Sequence, residues 1–319
     1  MLRIIHALGL LLAAQCLLLG TQNDPSSEPG VPLKKAFGPD HRSCRKLKGL
    51  ANHSDGVIGG TVVTDPNEFP FLAWLGDNDG SMESQFCGGT LISDRTVLTA
   101  GHCLYNDNDK NAQLLVRLKV ADMVAMMGVT RSVDNWRRHP EFNPMNLHND
   151  LTLLLLNESV PASLVEPLRL SDGTKSFEQS GEKMIVGWGS TDEECHVYDT
   201  LLRKSAVPFG EIFGRTCSSP GSKQLRAQED FDPNSQCCAG DYDGNMHYPG
   251  CGDSGGPLLA QDGGRWAQVG MVSYSYGVPY PDVFTRVSNF RDWIEKATEA
   301  LLHEGKNPTV NRMEKQRHV

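Results

Sequence analysis

The sequence predicts an all-β protein, a barrel or a sandwich, closed by one helix at its C-terminal end. Three observations predict it. Thirty-two glycines and eighteen prolines suit a loop-rich β fold better than a helical bundle. From Val57 onward, short apolar runs alternate with turn signals. A helical period is found only near the C-terminus.

In chain order, the expected strands are Phe71–Leu75, Gly89–Ile92, Thr96–Ala100, Leu114–Val120, Leu151–Leu156, Lys183–Trp188 and Gln268–Tyr274. The turns between them are rich in Asp, Asn and Gly, as at Gly76–Gly80, Asn106–Asp109, Asp172-Gly173 and Asp262–Gly264. The Asn106–Asp109 run lacks the spacing of a calcium loop and is read as a solvated turn. Ser288 is expected to cap the helix, with Phe290, Trp293, Ile294, Ala297, Leu301 and Leu302 on one face.

The chain before Val57 has a different texture. Arg3 is followed by an apolar run, Ile4 to Gly20, too short for a membrane span and placed like a secretory signal peptide. Residues 21–56 are polar, rich in Pro, Ser, Gly and Lys, and read as a propeptide or flexible arm. The expected organisation is therefore a signal peptide at 1–20, a propeptide at 21–56, one folded domain at 57–300 and a polar tail at 301–319.

Secretion changes how the cysteines are read. Cys16 leaves with the signal, and Cys44, Cys87, Cys103, Cys195, Cys217, Cys237, Cys238 and Cys251 remain. An even set in an oxidising compartment implies disulfides. There is no C-x-x-C pair, so a structural zinc site is not expected, and the sequence assigns no metal ligand and no cofactor. Sequons at Asn52 and Asn157 fit an extracellular glycoprotein. A net charge of −9 argues against nucleic acid as a partner. No other stretch is long and apolar enough to hold a bilayer, so no stable membrane association is expected.

Three local motifs carry chemistry. Cys251-Gly252-Asp253-Ser254-Gly255-Gly256-Pro257 is a glycine-rich turn around one serine, where successive N–H groups can point at one spot. Thr99-Ala100-Gly101-His102-Cys103 offers a histidine after a strand, and His148-Asn149-Asp150 a carboxylate before one. A lone histidine or aspartate in such a place is more often structural than catalytic. Together, however, the three supply a nucleophile, a base, a group to orient the base, and amide donors for an oxyanion.

In the order His, Asp, Ser, over about residues 57–300, the chain resembles the chymotrypsin–trypsin family of serine proteases. Further matches are Val57-Ile58-Gly59-Gly60, Phe86 to Ile92, His139 to Asn143, Gly187-Trp188-Gly189, Cys238-Ala239-Gly240 and Phe284 to Val287. The resemblance implies two six-stranded antiparallel barrels with the triad at their junction and a C-terminal helix. It implies that Ser254 is the nucleophile, His102 the base and then the acid, and Asp150 the orienting carboxylate, with an oxyanion hole at the N–H groups of Gly252 and Ser254. It implies that Cys87 pairs with Cys103 and Cys217 with Cys238, although Cys237 could replace the latter. It also implies a secreted endopeptidase with protein substrates, an activating protease and protein inhibitors as partners.

Three departures qualify the resemblance. The family is activated by a cut that frees the amine at the position of Val57, which then pairs with Asp253. The usual basic residue before the cut is here Asp55-Gly56. At the specificity pocket, His247-Tyr248-Pro249-Gly250 lacks the family's aspartate, while Asp282 stands where a glycine is usual. Asp282 either draws a substrate Lys or Arg, or is solvated or blocks the pocket. Ser273-Tyr274-Ser275 is the expected edge for extended substrate backbone. Lastly, Cys251 lacks its usual partner: by analogy Cys195 or Cys237 is the nearest candidate, Cys44 could tether the propeptide to the protease, and one of these four could equally be a free thiol. A catalytically silent, zymogen-locked binding or regulatory protein is the alternative reading.

Overall fold

A computed structural model describes residues 57–77, 84–104, 114–125, 127–174, 181–192, 195–209, 231–240, 247–275 and 281–306. Leu72–Asp77 (β2), Gln85–Leu91 (β3), Thr96–Thr99 (β4), Leu114–Leu118 (β5), Val129–Arg138 (β6) and Thr152–Leu156 (β7) close into one barrel in the order β2-β3-β4-β7-β6-β5. Gly181–Gly187 (β8), Arg203–Phe209 (β9), Gln236–Ala239 (β10), Pro257–Asp262 (β11), Arg265–Tyr274 (β12) and Asp282–Arg286 (β13) close into a second, in the order β8-β9-β10-β13-β12-β11. A short strand, Thr61–Val62 (β1), adds to β9. Every pairing between these strands is antiparallel, so the expected pair of six-stranded barrels is present.

These segments form barrels because their apolar side chains fill two interiors. β4 and β7 are buried throughout, as expected of strands covered on both faces. A core of Leu98, Leu118, Leu153 and Leu155 continues into Val186, Trp188, Leu259 and Met271 of the second barrel. A smaller cluster of Val57, Ile185, Val207, Leu258 and Phe284 fills the second barrel itself.

The helix, Arg291–Lys306 (α1), packs Ile294, Ala297 and Leu301 onto the larger core, as the periodicity requires. Its start differs from expectation. Ser288 lies inside a 3-10 turn, Val287–Phe290, and its hydroxyl reaches Asn289 Oδ1, so it does not cap α1. The turn leads straight into α1, which moves the helix start past the serine. Among the described residues, no helix is long and apolar enough to cross a membrane.

Candidate active site

Antiparallel register brings the first two groups together. Thr99 faces Thr152 across β4 and β7. The residues leaving β4 therefore run beside those entering β7, which sets His102 against Asp150. His102 Nδ1 lies 2.8 Å from Asp150 Oδ2, and the His102 backbone N–H donates to Asp150 Oδ1 at 2.8 Å. A carboxylate only accepts, so Nδ1 carries a proton, and in the neutral ring Nε2 presents a lone pair. Asp150 is fully buried and His102 is 9% exposed. The second barrel grips the same residue: the Ser273 hydroxyl donates to the carboxylate at Oδ2 (2.6 Å), and the Thr285 hydroxyl to the Asp150 backbone carbonyl (3.0 Å).

Ser254 occupies the turn ahead of β11, and its carbonyl accepts from the Gly88 N–H of β3 at 2.8 Å, joining the two barrels. Ser254 Oγ and His102 Nε2 are both buried, and among the described residues neither has a hydrogen-bond partner.

Each carbonyl of the turn is engaged. Gly250 O accepts from Asp253 N (3.1 Å), Cys251 O from Ser190 N (2.7 Å), and Asp253 O from Gly256 N (2.9 Å). Gly252 O accepts from the Gln85 side-chain amide at 3.3 Å. In a trans peptide the N–H points opposite to its carbonyl. Anchoring Cys251 O and Asp253 O therefore directs the N–H groups of Gly252 and Ser254 the other way. Gly252 has φ +97°, which favours glycine.

The Asp253 carboxylate is held by two backbone amides. It accepts from Gly189 N at Oδ1 and from Gly250 N at Oδ2, each at 2.8 Å. A side chain on Gly187 or Gly189 would overlap it, which gives the Gly187-Trp188-Gly189 motif its physical reason. Burial pushes the Asp253 carboxyl up to about 7, against the pull of these two amides. Val57 is 1% exposed, and Ile58 bridges Tyr248, beside the same turn.

A family model described as Trypsin matches residues 58–294. The chain belongs to the trypsin family of serine proteases. It is 33% identical to Trypsin-1 of Astacus astacus, over 75% of this chain and 98% of that one. It is 30% identical to phenoloxidase-activating factor 1 of Holotrichia diomphalia, over 77% and 71%. It is 29% identical to the human hepatocyte growth factor activator serine protease, over 84% of this chain but only 39% of that longer one.

Within this trypsin-family fold, the other expected site residues are placed as follows. Cys87 pairs with Cys103, tying β3 to the turn that bears His102. Cys251 pairs with Cys195. Cys238 is disulfide-bonded, while its expected partner Cys217 lies outside the described residues, as do Cys44 and Asn52. Among the described residues Cys237 is the free cysteine, buried, its thiol pushed up to about 12 by burial and so inert. Asp282 is buried at the head of β13, opposite Ala239 of β10. Ser273, Tyr274 and Ser275 all have buried side chains. Asn157 is exposed, with its Oδ1 accepting from Ser132 N. Cys87, His102 and Cys103 cluster closely enough to hold a metal ion, but both sulfurs are committed to a disulfide.

Sequence reasoning missed three contributors. Ser273, read at the substrate edge, also gives its hydroxyl to Asp150, a contact the sequence did not indicate. Gln85 and Ser190 hold the turn at Gly252 and Cys251. A serine or glutamine in a strand or turn gives no signal of its own, because only the tertiary fold says which carbonyl it meets.

Proposed function

We propose that this chain is a secreted serine endopeptidase whose triad is Ser254, His102 and Asp150. The observation that carries the reading is the buried His102–Asp150 pair, with Nε2 left as a base and Ser254 in the adjoining turn. His102 Nε2 takes the Ser254 hydroxyl proton as Oγ attacks the scissile carbonyl, and the N–H groups of Gly252 and Ser254 receive the oxyanion. His102 then returns the proton to the leaving amine. Water repeats the sequence on the acyl-enzyme.

In this reading residues 1–20 are a signal peptide and residues 21–56 a propeptide, and a cut before Val57 supplies an amine to Asp253. A buried carboxylate pushed up to about 7 is what such a cation would relieve. Asp282 gives the pocket a preference for Lys or Arg, and the Ser273–Ser275 edge pairs with extended substrate backbone. Asn52 and Asn157 carry glycans. The substrates are proteins, and an activating protease and protein inhibitors act on the enzyme.

The zymogen-locked reading has two observations in its favour: Asp55-Gly56 stands where a basic residue is usual, and the pocket segment His247-Tyr248-Pro249-Gly250 lacks the family's aspartate. Purification of the secreted protein, N-terminal sequencing and reaction with a fluorophosphonate separate the two. A Val57 terminus with the adduct on Ser254 is the expected result. An uncut chain that never takes the label overturns it.

A further inference from the structure

We propose that the Cys195–Cys251 disulfide is a brace for the oxyanion peptide, fixing the Cys251–Gly252 peptide group so that the Gly252 N–H faces the reacting carbonyl. The use made of that N–H rests on the protease reading above; the brace itself does not.

The argument starts at the peptide group. The Cys251 carbonyl and the Gly252 N–H belong to one planar unit, so fixing one fixes the other. Ser190 holds this unit from both sides of Cys251: its N–H donates to Cys251 O at 2.7 Å, and its hydroxyl accepts from Cys251 N at 2.8 Å. The disulfide adds a covalent tie from the same residue to Cys195. Two hydrogen bonds and one covalent link thus converge on the residue whose carbonyl sets the donor's direction.

A brace works only if its far end is firm. The Asp192 carboxylate accepts the N–H groups of His196 (2.9 Å) and Val197 (2.8 Å). Thr191 N donates to Val197 O at 2.8 Å, and the Ser190 hydroxyl to Asp192 O at 3.2 Å. Ser190 also bridges Tyr198. Cys195 is therefore carried by a self-bonded loop, seated against the turn where a side chain on Gly250 would overlap Ser190. Gly252 itself has no side chain and sits at φ +97°, so the direction of its N–H depends on how the flanking peptides are held.

The test compares the wild type with C195A/C251A, both as full chains cut before Val57. Loss of one oxyanion donor typically costs about 10²-fold in kcat. The variant is expected to keep its KM within about three-fold and its far-ultraviolet dichroism, while kcat and the fluorophosphonate labelling rate fall by about 10²-fold. Hydrogen exchange of the Gly250–Ser254 segment, read by mass spectrometry and independent of activity, is expected to quicken by about ten-fold or more while β4 and β7 do not change. If the variant does not fold, folded wild type is treated briefly with a water-soluble phosphine. The phosphine is oxidised as the disulfide is reduced to two thiols, which are alkylated and mapped, and the same readouts are taken. Unchanged exchange and unchanged labelling after loss of the bond overturn the brace. Quickened exchange in a protein that never takes the label supports the brace and overturns the protease reading instead.

Discussion

Severing the Gly56–Val57 bond acts on the one buried carboxylate of the active-site turn whose proton affinity is strongly raised. Asp253 rises from an ordinary 3.8 to about 7 because burial penalises its charge. Keeping the proton up to about 7 instead of 3.8 corresponds to a free energy on the order of 4 kcal/mol. The sign follows from linkage: between about pH 4 and pH 7 the folded chain keeps a proton that the unfolded chain has released. Stability of the uncut protein from this group is thus full on the acid side and falls as pH rises through about 7. From pH 5 to pH 7.5 the loss is about 2–3 kcal/mol, a large share of a typical total of about 5–15 kcal/mol. An amine delivered to Asp253 by the cut favours its charged form and removes that loss. The assay uses a Ser254→Ala background, to prevent self-digestion, with residues 52–56 rewritten as four aspartates and a lysine for cleavage on demand. Urea unfolding at pH 5 and pH 7.5, before and after cutting, gives the two slopes. The uncut form is expected to lose about 2–3 kcal/mol more than the cut form over that interval. Equal slopes would refute the pairing of Val57 with Asp253.

Other outcomes follow from the same geometry. Asp282→Asn is expected to lower kcat/KM for peptides with Lys or Arg at the cleaved position by about 10²-fold, as for a charge left without its partner, and to spare apolar ones; equal losses on paired substrates would remove Asp282 from specificity. Asp150→Asn is expected to lower kcat by about 10⁴-fold with KM nearly kept, since the amide no longer holds the required tautomer; steady-state kinetics on one peptide decide it. Gly252→Ala forces an alanine to φ +97° and is expected to cost about 1–3 kcal/mol of stability and at least about 10²-fold in kcat. An alanine variant with wild-type kcat would show that this N–H is not used.

Much of this was legible in the sequence, for identifiable reasons. The strands around Leu98 and Leu154 stand out because a continuous apolar run suits a strand buried on both faces. The face of α1 is legible because Ile294, Ala297 and Leu301 recur at helical spacing. Strands β6, β9 and β10 are less so. β6 carries Arg, Asp and Asn on a half-exposed surface, and β10 is only Gln236–Ala239, without a β-branched residue. Tertiary pairing, not propensity, makes them strands. The site divides the same way. His102, Asp150 and Ser254 sit in short motifs whose residue types are tied to their chemistry. Ser273, Ser190 and Gln85 matter through contacts across the fold, to which their own neighbours in sequence give no clue. Cys251 shows both sides: its lack of the usual partner was visible, but the choice of Cys195 needed the fold.

Interdependence of the Ser254 and His102 side chains is best read from kcat in Ser254→Ala, His102→Ala and the double variant, each cut before Val57. If hydroxyl and imidazole act as one unit, either single change lowers kcat by about 10⁶-fold and the second change adds almost nothing. Losses that multiply, or a Ser254→Ala enzyme as active as the wild type, would contradict a shared proton path between Ser254 and His102.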